Sequence, residues 1–190
     1  MAEPKLATRV LEQTLKNPRV VDDLAKTFKT FASPIVAQIP PPNAPPVVLR
    51  NTGAYQHVGT LDSDVITALQ NHAIKLQTPV LTITDGDIVH AMRTTKNNPV
   101  PVDWFLDLPK HIAKPDAVLL DTQQAQDTIL LAYAMPNEMC YKIAIKLNYT
   151  GKLKIDGGKM KILRNNVTTT QIVKQVDLRT KDYVVLQGEI

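Results

Sequence analysis

With 190 residues, 44% of them hydrophobic, the chain is long enough for one ordinary core and an appendage. Aromatic residues make up 5%, so aliphatic side chains must do most of the packing. The formal net charge of +4 is mildly basic, which on its own reads as solubility rather than as a nucleic-acid footprint.

One cysteine, Cys140, excludes an internal disulfide and any cysteine-rich zinc site. It sits in the apolar run MCYKIAIKL and reads as a buried small hydrophobe. No metal ligand set and no cofactor motif occurs: a Gly-rich phosphate loop, HExxH and a dinucleotide fingerprint are all missing from the sequence. That argues against an NTPase, a metalloprotease or a dehydrogenase. The N-terminus is amphipathic and carries Glu3, Glu12, Asp22 and Asp23, unlike a signal peptide. No apolar run approaches the ~20 residues of a membrane span. The expected location is the reducing cytoplasm of the cell that makes it, or a particle packaged there.

Residues 5–31 read as helix. Leu6, Val10 and Leu15 form one stripe; Asn17 is a cap with Pro18 at the first helical position. Val21, Leu24, Ala25, Phe28 and Phe31 then repeat at helical spacing. The run Pro40-Pro41-Pro42-Asn43-Ala44-Pro45-Pro46 follows and reads as a stiff, extended spacer. The expected organisation is a helical arm over 1–39, a proline-rich linker over 40–46 and a globular domain over 47–190.

Within that domain Val47-Val48-Leu49 reads as a first strand and residues 51–60, with Gly53 and Gly59, as loop. Asp62 or Ser63 caps a helix with Val65, Ile66, Leu69, Ala73 and Leu76 on one side. Leu81 and Ile83 alternate with Thr82 and Thr84 in a strand. Asp85 or Asp87 caps the next helix, which carries Ile88, His90 and Met92, with Arg93 three residues beyond His90. Trp104, Phe105, Leu108 and Ile112 stripe a second helix, and Pro115-Asp116 turns the chain into Ala117–Leu120 as a strand. Residues 128–135 and 139–149 flank Pro136-Asn137-Glu138 and read as a β-hairpin. Short strands are expected over 152–155 and 159–163. Thr168–Thr170 is expected to cap a helix over 171–176, and 183–186 to form a last strand.

His90, Leu108-Pro109, Pro115-Asp116-Ala117-Val118 and Lys146 stand in an order that resembles a phage family. In the C-terminal domain of phage Mu F-like head proteins, a strand leads into a helix bearing a histidine. A leucine-proline, a short helix and a proline-aspartate-hydrophobic run follow, then a β-hairpin with a lysine. The same order marks the related phage nuclease-like domains of the barnase–EndoU–colicin–RelE group. The resemblance covers roughly residues 80–176.

It implies an α+β fold, a small antiparallel sheet packed with helices, preceded here by the N-terminal helical arm. It also implies a site. Metal-independent RNA cleavage needs a base for the 2′-hydroxyl, an acid for the leaving oxygen and cations for the phosphate. His90 and Lys146 are the residues it would assign to catalysis, and Arg93, expected on the same helical face as His90, joins them as a candidate cation. Lys142 lies on the same strand side as Lys146. Lys152, Lys154, Lys159, Lys161 and Arg164 add positive charge with few acids, where a phosphate backbone could lie. Arm and spacer are assembly features. The expected function is therefore a virion-associated head, portal or ejection protein with a structural or assembly role. It would bind capsid or portal proteins through the arm, with nucleic acid as a further partner. The alternative is an active RNase or toxin-like effector delivered with the virion.

Overall fold

The computed structural model describes residues 13, 17–41, 44, 49, 51–93 and 98–190. The expected Leu6, Val10 and Leu15 stripe, most of the spacer and Val47-Val48 lie outside them; Leu49 is described and is not in a strand.

Helix α1 (Pro18–Val36) starts where the sequence placed it. The Asn17 side chain accepts a hydrogen bond from the Arg19 N–H at 3.0 Å, and Pro18 takes the first helical position. Its apolar face does not wait for an outside surface. Ala25 is buried, Phe28 and Ala32 belong to the main core, and the Phe28 ring meets Phe105 edge-on with centroids 5.7 Å apart. From Pro18 onward, the expected arm is a wall of the domain.

Strand β1 (Tyr55–Thr60) occupies the stretch expected to be loop. It pairs antiparallel with β2 (Val80–Thr84), and the register shifts between His57 and Gly59. A Cβ on Gly59 would come within 2.6 Å of Ile112 Cγ2, so the small residue that resembled a loop signal is a packing contact. Helix α2 (Ser63–Asn71) lies between the two strands in sequence. Helix α3 (Asp85–Met92) follows β2 directly, and its N-cap is Thr84 rather than either expected aspartate. Thr84 and Asp87 form a reciprocal capping box, while Asp85 turns back to the loop before β1.

The expected helix over Trp104–Ile112 is two short ones, α4 (Val102–Leu106) and α5 (Leu108–Ile112). Pro109 has no N–H to continue α4, and its ring starts α5 instead. Strands β3 (Ala117–Asp121) and β4 (Thr128–Ala134) follow. Then come β5 (Met139–Ile155) and β6 (Gly158–Lys174), each 17 residues long. The short strands expected after residue 149 are continuations of this one long hairpin. The expected cap at Thr168–Thr170 and most of the helix after it are also strand. Threonine, valine and isoleucine over 167–173 carry β6 onward, and helix α6 covers only Gln175–Leu178. Strand β7 (Tyr183–Gly188) closes the chain.

The fold is α+β, as expected, but its sheet is neither small nor purely antiparallel. Seven strands run in the order β1-β2-β6-β5-β4-β3-β7. The β2–β6 pair is parallel and the others antiparallel. This joins the β1–β2 unit to the free side of the hairpin. Helices α1 to α5 cover one face, with Leu81, Ile83, Ile88, Phe105, Ile129, Ile143 and Ile145 fully buried between. Each such side chain contributes roughly 1.5–3 kcal/mol relative to exposure. The second face carries a smaller cluster, Leu119, Leu130, Ala132, Cys140 and Ala144, capped by Leu178 of α6. Cys140 is buried there, and burial pushes its thiol pKa up. Among the described residues no helix is long and apolar enough to cross a membrane.

Candidate nucleic-acid interface

Strand alternation decides which of the expected site residues can meet. Ile143, Ile145 and Leu147 point into the helix-covered core, so Lys142 and Lys146 project from the other face of β5. Helix α3 packs on the helix-covered face through Ile88, Ala91 and Met92. His90 is exposed on that helix, and Arg93, also exposed, has left it with an extended backbone (φ −58°, ψ 135°). Asp87 of the same helix nevertheless accepts from Asn166 Nδ2 at 3.0 Å, and Asn166 is the strand partner of Lys146, so the N-terminal end of α3 reaches the Lys146 side of the sheet. The helical spacing expected to hold His90 beside Arg93 ends at Met92.

Lys142 is half-buried on the second face. Desolvation lowers its pKa, partly offset by Asp121 and Asp177. It is held among its own carboxylates, away from the other expected phosphate contacts. Lys146 is placed differently. Its Nζ lies 5.6 Å from the centroid of the Tyr149 ring, and Arg164 Cζ lies 5.7 Å from the same centroid.

Beyond Tyr149 the hairpin leaves the sheet as a two-stranded arm. Its tip is a two-residue turn, Asp156-Gly157, with φ of 46° and 83° between the paired Ile155 and Gly158. Positive φ at both positions matches the right-handed twist of the strands, and aspartate-glycine supplies it at small cost. Along the arm Lys152 pairs with Lys161, and Lys154 with Lys159. Directly paired residues share a face, as do residues two apart on one strand. All four lysines therefore occupy one face of the arm, and all four are exposed. Like charges directly opposite repel, so this face is locally destabilised until an anion neutralises it.

Two residues short of its tip turn the arm touches the loop before β1, where the Lys154 N–H donates to Gly53 O at 2.8 Å. A polar cavity of about 360 Å³ lies there, lined by Asn51, Thr84, Asp87, Tyr149, Lys152, Lys159 and Arg164 with Gly53 and Gly151. Arg164 is 5% exposed, and neither its Nε nor its Nη1 has a hydrogen-bond partner. Burial lowers its pKa, with Asp87 and Tyr149 opposing the shift. Asp87 is occupied elsewhere: its Oδ2 accepts from the Thr84 N–H at 3.2 Å, from the Thr84 hydroxyl and from Asn166 Nδ2 at 3.0 Å.

The structure thus groups Lys146, Lys152, Lys154, Lys159, Lys161 and Arg164 on or beside the arm. It leaves out His90, Arg93 and Lys142. Tyr149 and Asn51 carried no signal in the sequence, because their relevance depends on which loop the arm bends towards. Among the described residues no group of three or more His, Cys, Asp or Glu side chains is placed to hold a metal ion. Comparison with family models, with curated proteins and with solved structures gave no match. Function must therefore be argued from this geometry.

Proposed function

We propose that the protein is a structural, non-catalytic binder of nucleic acid that uses the β5–β6 arm to contact the phosphate backbone. The resemblance to phage head proteins suggests the setting, a virion in which it would sit beside packaged nucleic acid and capsid or portal proteins. The observation that carries the reading is the lysine face: Lys152, Lys154, Lys159 and Lys161 in two directly opposed pairs on an exposed ribbon. Neutralising phosphates with such side chains releases counterions, which gives affinity without base reading.

The test is the salt dependence of binding to duplex DNA. Replacing the four lysines by alanine should flatten the slope of log affinity against log salt by about 3 to 4, near 0.9 per lost phosphate contact. A wild-type protein that ignores nucleic acid at low salt, or a quadruple variant with an unchanged slope, would sink the reading.

RNA cleavage, the other activity the resemblance implies, ranks second. A base is required, and His90 is not in the lining of the cavity that holds Lys152, Lys159 and Arg164. Incubation with RNA in EDTA should leave the substrate intact for both the wild type and His90→Ala. Cleavage by the wild type that His90→Ala abolishes would reverse this ranking.

A further inference from the structure

A guanidinium that is 5% exposed and has two unpartnered nitrogens is costly to keep unless something answers it. Arg164 lines a polar cavity, and the cavity's other cations are Lys152 and Lys159. Asp87 is the one carboxylate in the lining, and one of its oxygens is already taken by Thr84 and Asn166. The first-turn amides of α3 are not the attraction. The Asp87 N–H is bonded by Thr84 and the Gly86 N–H by Asp85.

Gly151 fixes the arginine's position. A Cβ there would come within 2.8 Å of both Arg164 Nη2 and Tyr149 Cε1, so the guanidinium and the ring lie directly over the glycine. Arginine presents a planar fork suited to two oxygens of one anion, and lysine adds a point charge from the side.

We infer that the cavity between Asn51, Tyr149, Lys152, Lys159 and Arg164 seats a single phosphoryl group, with the Arg164 fork as its principal ligand. The lysine face would track a chain of phosphodiesters; this cavity shares Lys152 and Lys159 with that face and is set apart from it by Arg164. The inference rests on the nucleic-acid reading only for the source of the phosphoryl group, which is either the end of a nucleic-acid strand or free phosphate.

The test follows the Arg164 Nε–H resonance of the full chain while inorganic phosphate is titrated against chloride at matched ionic strength. A saturable shift with phosphate and none with chloride is expected. Arg164→Gln and Gly151→Ala should each weaken phosphate binding by about tenfold or more. Gly151→Ala keeps every charge and presses on the Arg164 guanidinium and the Tyr149 ring rather than on backbone, so it remains informative if Arg164→Gln fails to fold. Two oligonucleotides of one sequence, with a 5′-phosphate or a 5′-hydroxyl, then identify the source. A 5′-phosphate preference that Gly151→Ala removes supports the strand end. Equal binding of the two, beside saturable phosphate binding, supports the free ion. Absence of a saturable phosphate shift in the wild type overturns the site, even if the lysine face binds DNA. Phosphate binding by a chain that ignores DNA overturns the backbone reading and leaves the site standing.

Discussion

His111 shows how a single side chain ties local packing to solution behaviour. Its imidazole stacks on Trp104 with ring centroids 4.2 Å apart and an interplanar angle of 11°, and its Nε2 lies 3.0 Å from Trp104 O. Burial lowers its pKa below 6.5, with the Trp104 carbonyl and Asp107 opposing and Lys110 assisting. A histidine with a depressed folded-state pKa favours its neutral form in the native protein. Its contribution to stability is complete above the unfolded value and is lost as pH falls from there through the folded value. The melting temperature should therefore fall below pH 6.5, and calorimetry on His111→Gln should show a shallower fall than the wild type. At the candidate site single residues were half legible. The arm's lysines could be read from charge alone. Asp87 lines the cavity and His90, three residues on, does not, which sequence spacing alone does not decide.

Among the elements, α1 and the hairpin depart most from what the sequence implied. An amphipathic helix ahead of a proline-rich run reads as a detached arm, yet the same pattern serves a helix that folds back on its own domain. Phe28 marks the difference, since it is fully buried and touches Phe105. Phe28→Ala should cost about 3–5 kcal/mol in urea unfolding, the range for large-to-small changes in a packed core. A cost near zero would mean that α1 is not seated on the domain in solution. The hairpin was legible as two strands and a turn, but its length was not. Gly151, Gly157 and Gly158 resemble strand ends, whereas Gly157 alone sits in the turn, at φ 83°. Gly151 lies within β5 because Arg164 and Tyr149 need the space. β1 was missed for a related reason: Gly59 yields to Ile112, so a packing constraint resembled a loop.

Across the whole molecule, composition and periodicity were enough for the α+β class. They could not give the strand order, because the parallel β2–β6 contact joins segments about eighty residues apart, Leu81 with Asn165 and Thr82 with Asn166. Asn165 secures that junction. It is fully buried, its amide donates to Thr78 O, and its carbonyl accepts the Asn148 N–H at 3.0 Å. This junction also decides how the arm is anchored. β6 and β5 are third and fourth from the β1 edge in the seven-strand order, bonded to neighbours on both sides, and the projecting ribbon continues the same two strands beyond a register shift between Lys146 and Tyr149, where Asn148 takes φ 46°. Anything gripped at the tip would tug lengthwise on the middle of the sheet, where whole rows of bonds share the load, rather than peel a rim strand away one bond at a time. The lever and its fulcrum are one piece of chain.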